Sequence, residues 1–150
     1  MSTEEQHTTL AALREERERK GAALEAAGHS LYPVSSWRTH TLAAVRDAAT
    51  ALEASHETVT VAGRILAMRG HGAVVFFDMF DGTERLQGIW KKDETDEAAM
   101  QLFLSAVDRG DFIECTGSIF TTQRGELSVL ATGWRMLAKA TLPLPVEFFG

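Results

Sequence analysis

Val59-Thr60-Val61-Ala62-Gly63-Arg64-Ile65-Leu66-Ala67-Met68-Arg69 runs into Gly70-His71-Gly72. Then come Ala73-Val74-Val75-Phe76-Phe77-Asp78-Met79-Phe80, Asp81-Gly82-Thr83-Glu84 and Arg85-Leu86-Gln87. The first run is rich in β-branched residues and alternates, which predicts a strand. Gly63 interrupts it, and a glycine inside a strand marks a bulge or a sharp bend. Gly70-His71-Gly72 and Asp81-Gly82 are turn signals at hairpin spacing. Three consecutive antiparallel strands therefore meet here, the first long and bent. A small closed barrel needs that geometry at its corner.

Alternation says what each strand presents. Val75, Phe77 and Met79 share one face of the second strand, and Phe76 and Asp78 the other. Leu86 and Trp90 suit the core face of the third strand, leaving Arg85, Gln87 and Ile89 outward. Arg69, Phe76 and Gln87 then converge on one exposed surface, a flat ring with hydrogen-bond donors around it. Two readings of Phe76 stay open on this pattern. It is an apolar strand residue like its neighbours, or a platform on which an unpaired base stacks while polar neighbours read its edge.

The chain has 150 residues, enough for one domain or a small domain with a helical appendage. Its residues are 45% hydrophobic and 24% charged, which supports a buried core. No apolar run approaches the ~20 residues of a membrane span. The start, Met1-Ser2-Thr3-Glu4-Glu5, lacks the basic and apolar regions of a signal peptide. A single cysteine, Cys115, excludes an internal disulfide and fits a reducing cytoplasm. The net charge of −6 argues against broad, non-specific nucleic-acid binding. Any such site must be local, with the acidic charge elsewhere.

Working outward, Thr3 to Ala27 reads as a helix ended by Gly28, with Glu4 and Glu5 at its amino end. Leu10, Leu13 and Leu24 give it a partial apolar period. Arg14, Arg17, Arg19 and Lys20 alternate with Glu15, Glu16 and Glu18. That is a solvated, salt-bridged face or a basic stripe for a phosphate backbone. Tyr32-Pro33 starts an extended link. Thr41 is the N-cap of a second helix reaching about Leu52. This gives an N-terminal helical extension and linker over residues 1–55, and a barrel domain over 56–150 whose first strand begins at about Thr58.

Beyond the third strand, Lys91-Lys92-Asp93-Glu94 exits to a helix from about Thr95 to Val107. Asp108-Arg109-Gly110-Asp111 is a turn. Phe112 to Thr121 is a fourth strand, loosened at Gly117. Gln123-Arg124-Gly125 is the next turn, and Glu126 to Leu137 a fifth strand. Three strands, a helix and two strands is the order of an OB-fold, in which the helix plugs one end of a five-stranded barrel. The predicted class is mainly β, an OB-fold barrel with an N-terminal α-helical extension. Such barrels bind oligonucleotides on the face of strands two and three.

From about Leu24 to Gly150 the chain resembles the N-terminal anticodon-binding region of class II lysyl-tRNA synthetases. The resemblance rests on Tyr32-Pro33, Arg38-Thr39-His40-Thr41-Leu42, Val59 to Ile65, Phe76-Phe77-Asp78-Met79, Arg85-Leu86-Gln87, Gly110-Asp111, Gly125-Glu126-Leu127-Ser128 and Leu142-Pro143-Leu144-Pro145. Phe76, Asp78, Met79 and Gln87 alone also suit the aspartyl and asparaginyl enzymes; the Arg-Thr-His-Thr and Gly-Glu-Leu-Ser strings and the Pro-Leu-Pro ending look like the lysyl branch.

By this resemblance, Phe76 matches the aromatic on which the central anticodon base stacks. Gln87 and Glu126 match polar residues contacting that base, and Arg69 an arginine at the same site. A lysine anticodon has uracil at its centre, whose pairing edge carries carbonyl acceptors and one N–H donor. Gln87 has both kinds of group, Arg69 only donors, and an ionised Glu126 only acceptors. The chain departs from the family's usual pattern at Gly88, Ala73 and Thr122-Gln123-Arg124, where bulkier or basic residues are common. The resemblance further implies tRNA(Lys) as partner and a homodimeric full-length enzyme. It also implies a catalytic domain after Phe148-Phe149-Gly150 that uses ATP and Mg2+ to activate lysine before transfer to tRNA. The 150-residue chain itself lacks those motifs and is expected to bind tRNA without charging it and without a cofactor.

Catalysis within the chain has little support. His7, His29, His40, His56 and His71 are scattered, one cysteine makes no zinc site, and Gly70-His71-Gly72 lacks the lysine and helix of a phosphate loop. No catalytic or metal-binding residue is assigned. Two other functions remain: the anticodon domain of an aspartyl or asparaginyl enzyme, and a stand-alone single-strand-binding or protein-interaction OB module.

Overall fold

The computed structural model describes residues 3–30 and 36–140. The Tyr32-Pro33 and Leu142 to Pro145 motifs, and the ending Phe148-Phe149-Gly150, lie outside the described residues. Helix α1 (Thr3–Ala26) comes first, then α2 (Leu42–Asp47) and α3 (Ala49–Ser55). Strands β1 (Thr58–His71), β2 (Val74–Phe80) and β3 (Arg85–Lys91) follow. A 3-10 turn (Lys92–Glu94) leads into α4 (Glu97–Ala106), and β4 (Phe112–Thr121) and β5 (Leu127–Ala138) finish the order. The strands close into a barrel in the order β1-β2-β3-β5-β4. All pairs are antiparallel except β3–β5.

The core face of β2 is as alternation predicts: Val75, Phe77 and Met79 are buried. They meet Leu86 and Trp90 of β3 and the apolar side of α4 in one cluster. Phe103 of α4 enters the barrel among Phe77 at 4.9 Å, Trp90 at 5.4 Å and Trp134 at 5.4 Å between ring centroids. Those spacings are in the favourable range for tilted and edge-on aromatic pairs. The Trp134 Nε1–H donates to the Ala99 carbonyl at 2.9 Å, which ties α4 to β5. Leu24, Leu42, Val45 and Leu52 from the helices join the same cluster.

Gly88 shows why the interior tolerates no other residue at that point. A Cβ there would lie 2.1 Å from Cζ of Phe77, so the ring occupies the space a side chain would need. Gly63 plays a similar part. A Cβ on it would meet the Met79 Cβ at 3.1 Å and the Phe80 carbonyl oxygen at 3.2 Å. The bulge in β1 lies between Ile65 and Ala67, two residues beyond the glycine. Gly63 thus lets β2 approach closely, and the bend follows it as β1 passes from pairing β4 to pairing β2. Gly117 sits at a register break in β4, where a Cβ would strike the Leu130 carbonyl oxygen at 2.0 Å.

Three expectations are corrected. The helix predicted from Thr41 to Leu52 is two helices. Thr41 does cap α2, its hydroxyl accepting from Ala44 N at 3.0 Å, but Ala48 breaks the helix at φ −101° and ψ 12°. Ile89, assigned outward, is on the outer face yet buried, because Phe76 and Leu130 flank it in register. The charged face of α1 is neither purely solvated nor a free basic stripe. Arg14 pairs with Glu18 along the helix, whereas Lys20 reaches Asp108 at 2.7 Å and Arg17 lies 4.0 Å from it. Two of the basic residues therefore fasten α1 to the barrel. The fourth helix starts at Glu97, capped by Asp96, whose carboxylate accepts from Ala98 N at 2.9 Å.

The turn after β2 is also a fastening. The Asp81 carboxylate accepts from Thr83 N at 2.9 Å, Thr83 Oγ1 at 2.6 Å and Glu84 N at 3.2 Å. It also accepts from Leu42 N at the start of α2, at 2.9 Å. Partial burial pushes its pKa up, but these donors together hold it below the ordinary carboxylate value. Glu114 and Asp108 are likewise held low by their donors against the upward push of burial.

Two predictions follow from the core and the turn. Phe77→Ala should cost about 3–5 kcal/mol in urea unfolding, the range for emptying a buried phenylalanine site. Phe76→Ala, on a half-buried outer residue, should cost about 1 kcal/mol; the reverse order would invert the two faces of β2. A carboxylate with a lowered folded-state pKa adds stability that is complete above its unfolded value, about 4, and lost as pH falls through the folded one. The melting temperature should therefore drop from about pH 5 to pH 3. Asp81→Asn should melt lower at neutral pH and show a shallower drop; an unchanged slope would clear Asp81 of any part in it.

Candidate nucleic-acid interface

Strand register lays the outer face of β2, β3 and β5 out in two rows. Arg69, Phe76, Ile89 and Leu130 are successive partners across β1, β2, β3 and β5. Asp78, Gln87, Ser128 and Phe120 form the next row across β2, β3, β5 and β4. The first row is an apolar strip carrying one arginine. The second is polar until Phe120. A flat ring and hydrogen-bonding groups therefore lie side by side on rigid strands, as the alternation predicted.

Beside the polar row is a hollow of about 410 Å³ lined by Arg69, Asp78, Arg85, Leu86, Gln87, Arg124 and Glu126. Three of the four residues singled out from the sequence line it. The fourth, Phe76, stands in the neighbouring row, opposite Arg69 and two residues from Asp78. The hollow holds three arginines against two carboxylates, in a chain of net charge −6. The acidic excess is thus placed elsewhere, and the local balance suits a polyanion.

Two details were not visible in the sequence. Arg69 aims its guanidinium at Asp78, with Nη1 2.5 Å from Oδ2 and Nη2 3.4 Å from Oδ1. The acid orients the arginine at the rim. Gln87 accepts at Oε1 from the Ser128 hydroxyl at 2.8 Å. Of the two kinds of group expected to face a base, its oxygen is therefore engaged by Ser128. Asp78, Arg85, Arg124 and Ser128 join the site without having been assigned to it. Asp78 and Arg85 had usable signals: Asp78 shares a strand face with Phe76, and alternation puts Arg85 outward with Gln87 on the third strand.

Glu126 is exposed at the head of β5, its N–H held by the Thr122 hydroxyl at 3.1 Å. Gly125 before it has φ +86°, a left-handed conformation that turns the loop toward the hollow. His40 bonds the Thr39 hydroxyl at 2.7 Å in the segment leading to α2, a structural placement. Among the described residues no group of three or more histidine, cysteine or acidic side chains could hold a metal ion, and no helix is long and apolar enough to cross a membrane.

The family profile for tRNA anti-codon domains, described as an OB-fold nucleic acid binding domain, matches residues 59–137. This chain belongs to that family. An OB-fold nucleic acid binding domain of this kind is similar to the N-terminal part of several curated proteins. A lysine–tRNA ligase of Kineococcus radiotolerans is 42% identical over 138 residues, 89% of this chain and 27% of that protein. Lysine–tRNA ligase 1 of Mycobacterium tuberculosis is 42% identical over 134 residues, 87% of this chain and 26% of its own. A lysine–tRNA ligase of Methanospirillum hungatei is 37% identical over 140 residues, 91% of this chain and 27% of its own. The chain spans about a quarter of the length of these relatives.

Arg124 is exposed at the rim of the OB-fold's hollow, with no side-chain partner among the described residues. If it meets a phosphate, Arg124→Ala should leave the melting temperature unchanged. The slope of log affinity against log salt for a short RNA stem-loop should then become shallower by about 0.7. An unchanged slope would place the phosphate contacts elsewhere on the face.

Proposed function

We propose that this domain reads the central uracil of the lysine anticodon, as the anticodon-binding part of a lysine–tRNA ligase. The observation that carries the reading is the polar row beside Phe76, with Gln87 lining a hollow bordered by Arg69 and Glu126. Phe76 supplies a stacking surface that accepts any base. The Gln87 NH2 donates to a uracil carbonyl, and Glu126 accepts from the uracil N–H. Arg69, aimed by Asp78, supplies further donors at the rim. Cytosine has an amino donor where uracil has a carbonyl and a bare ring nitrogen where uracil has N–H. It would leave these groups unpaired, at about 1–3 kcal/mol for each one buried.

The names and coverage of the relatives support a larger protein whose other part performs lysine activation with ATP and Mg2+, then transfer to tRNA. A homodimer and a cytoplasmic setting belong to the same proposal.

The test is a titration of anticodon stem-loops with uracil or cytosine at the centre. Phe76→Ala should weaken both by about 1–3 kcal/mol, the value of one base–aromatic stack. Gln87→Ala should chiefly shrink the gap between them. A gap left intact by both Gln87→Ala and Glu126→Ala would move discrimination to other residues.

A further inference from the structure

We infer that the RNA-binding face continues past the hollow along a second row, in which Phe80 stacks a further base and Arg64 holds a phosphate of the same strand. The inference rests on the RNA site proposed at the hollow and extends it away from the central base.

The row follows from strand register. Phe112, Arg64, Phe80 and Arg85 are successive partners across β4, β1, β2 and β3. Their chain neighbours Ile113, Ile65, Met79 and Leu86 are buried in the core, so these four side chains face outward. Arg85 also lines the hollow, and the row joins it there. Phe80 shares its strand face with Phe76, four residues or about 13 Å away. One base on Phe76 does not span that distance, but the strand carrying it does. An OB-fold engages about 4–16 nucleotides, more than the hollow and Phe76 accommodate.

Arg64 differs from the other cations built into the fold. Arg17, Lys20, Arg46, Lys91, Arg135 and Lys139 each have a carboxylate within 4.0 Å. Arg64 is half-buried and has none among the described residues. Its guanidinium carbon lies 5.6 Å from the Phe112 ring centroid, within cation–π reach, and its Nε is buried without a hydrogen-bond partner. Keeping a partly desolvated charge with no counter-charge costs stability. A phosphate would supply both the missing charge and acceptor oxygens for the guanidinium. Phe112 holds the side chain in place beforehand, which lowers the entropy lost on binding.

An acidic protein segment could supply the same charge, but the neighbours of Arg64 favour RNA. Phe80 is 37% exposed and stands between Arg64 and Arg85, each one strand spacing or about 5 Å away. A ring flanked by arginines offers stacking and charge in alternation, which suits the bases and phosphates of a single strand. An acidic peptide would leave that ring without a partner.

The experiment titrates linear uracil-centred RNAs of about three and about nine nucleotides, the second within the length an OB-fold engages. Wild type should bind the longer RNA more tightly. Arg64→Gln should match wild type on the shorter RNA and bind the longer one about 10-fold more weakly, the loss of one charged hydrogen-bonded contact. Its slope of log affinity against log salt should become shallower by about 0.7 on the longer RNA only. Arg64→Lys should restore that slope, and Phe80→Ala should weaken the longer RNA about 5-fold or more whatever the added bases. The melting temperature of Arg64→Gln should not fall, since the charge removed has no counter-charge in the fold.

An unchanged slope in Arg64→Gln, or a loss equal on both RNAs, would overturn this inference alone. So would a wild type that binds the longer RNA no better than the shorter. A wild type that shows the length dependence but does not prefer uracil to cytosine at the centre would overturn the anticodon reading and leave the row standing.

Discussion

The structure depends on Phe103. A closed barrel of five strands has an interior that must be filled and an end that must be sealed. Phe103 does both, touching Phe77, Trp90 and Trp134 on three different strands. Its contact with Phe77 has a consequence on the opposite side of the sheet. Side chains alternate with a period of two, so fixing Phe77 inward fixes Phe76 outward. A one-residue slip of β2 would put Phe76 in the core and remove the ring from the surface. The binding face is thus held in register by an interaction on the other side of the same strand.

Charge follows a similar economy of placement. Lys139 is buried between Asp108 at 2.8 Å and Asp111 at 2.6 Å, and Lys20 reaches Asp108 from α1. These lysines are used within the molecule, as is Arg135, which pairs with Glu114 at 3.2 Å and lies 3.9 Å from the Trp37 ring. Arginines at the hollow, by contrast, stand at the surface of an acidic chain. Long-range attraction of a polyanion is weak in such a molecule, and recognition relies on contacts made at close range within a Debye length of about 8–10 Å.

How much of this could be read from the sequence depended on whether a feature leaves a local pattern. Strand alternation does, so the inward Val75, Phe77 and Met79 and the turn at Asp81-Gly82 were legible, and the element order led to the barrel. Features made by distant segments were not. Ile89 is buried by neighbours on β2 and β5. The Ser128 hydroxyl meets Gln87 through a parallel pairing between strands 41 residues apart in sequence. Ala48 has no breaker chemistry, so the helix interruption had no signal. Arg17 and Lys20 look like any other members of a charged helix until Asp108 is brought beneath them.

Gly88 and Phe77 behave as one structural unit, with the ring filling the volume that a side chain at 88 would require. Protein engineers who diversify these positions separately will discard most of their library, since each added atom at 88 has to be withdrawn from 77. Varied jointly, with a smaller residue at 77 for every larger one at 88, the pair offers a route to rebuild the barrel interior directly beneath Gln87 without editing the surface that meets a ligand.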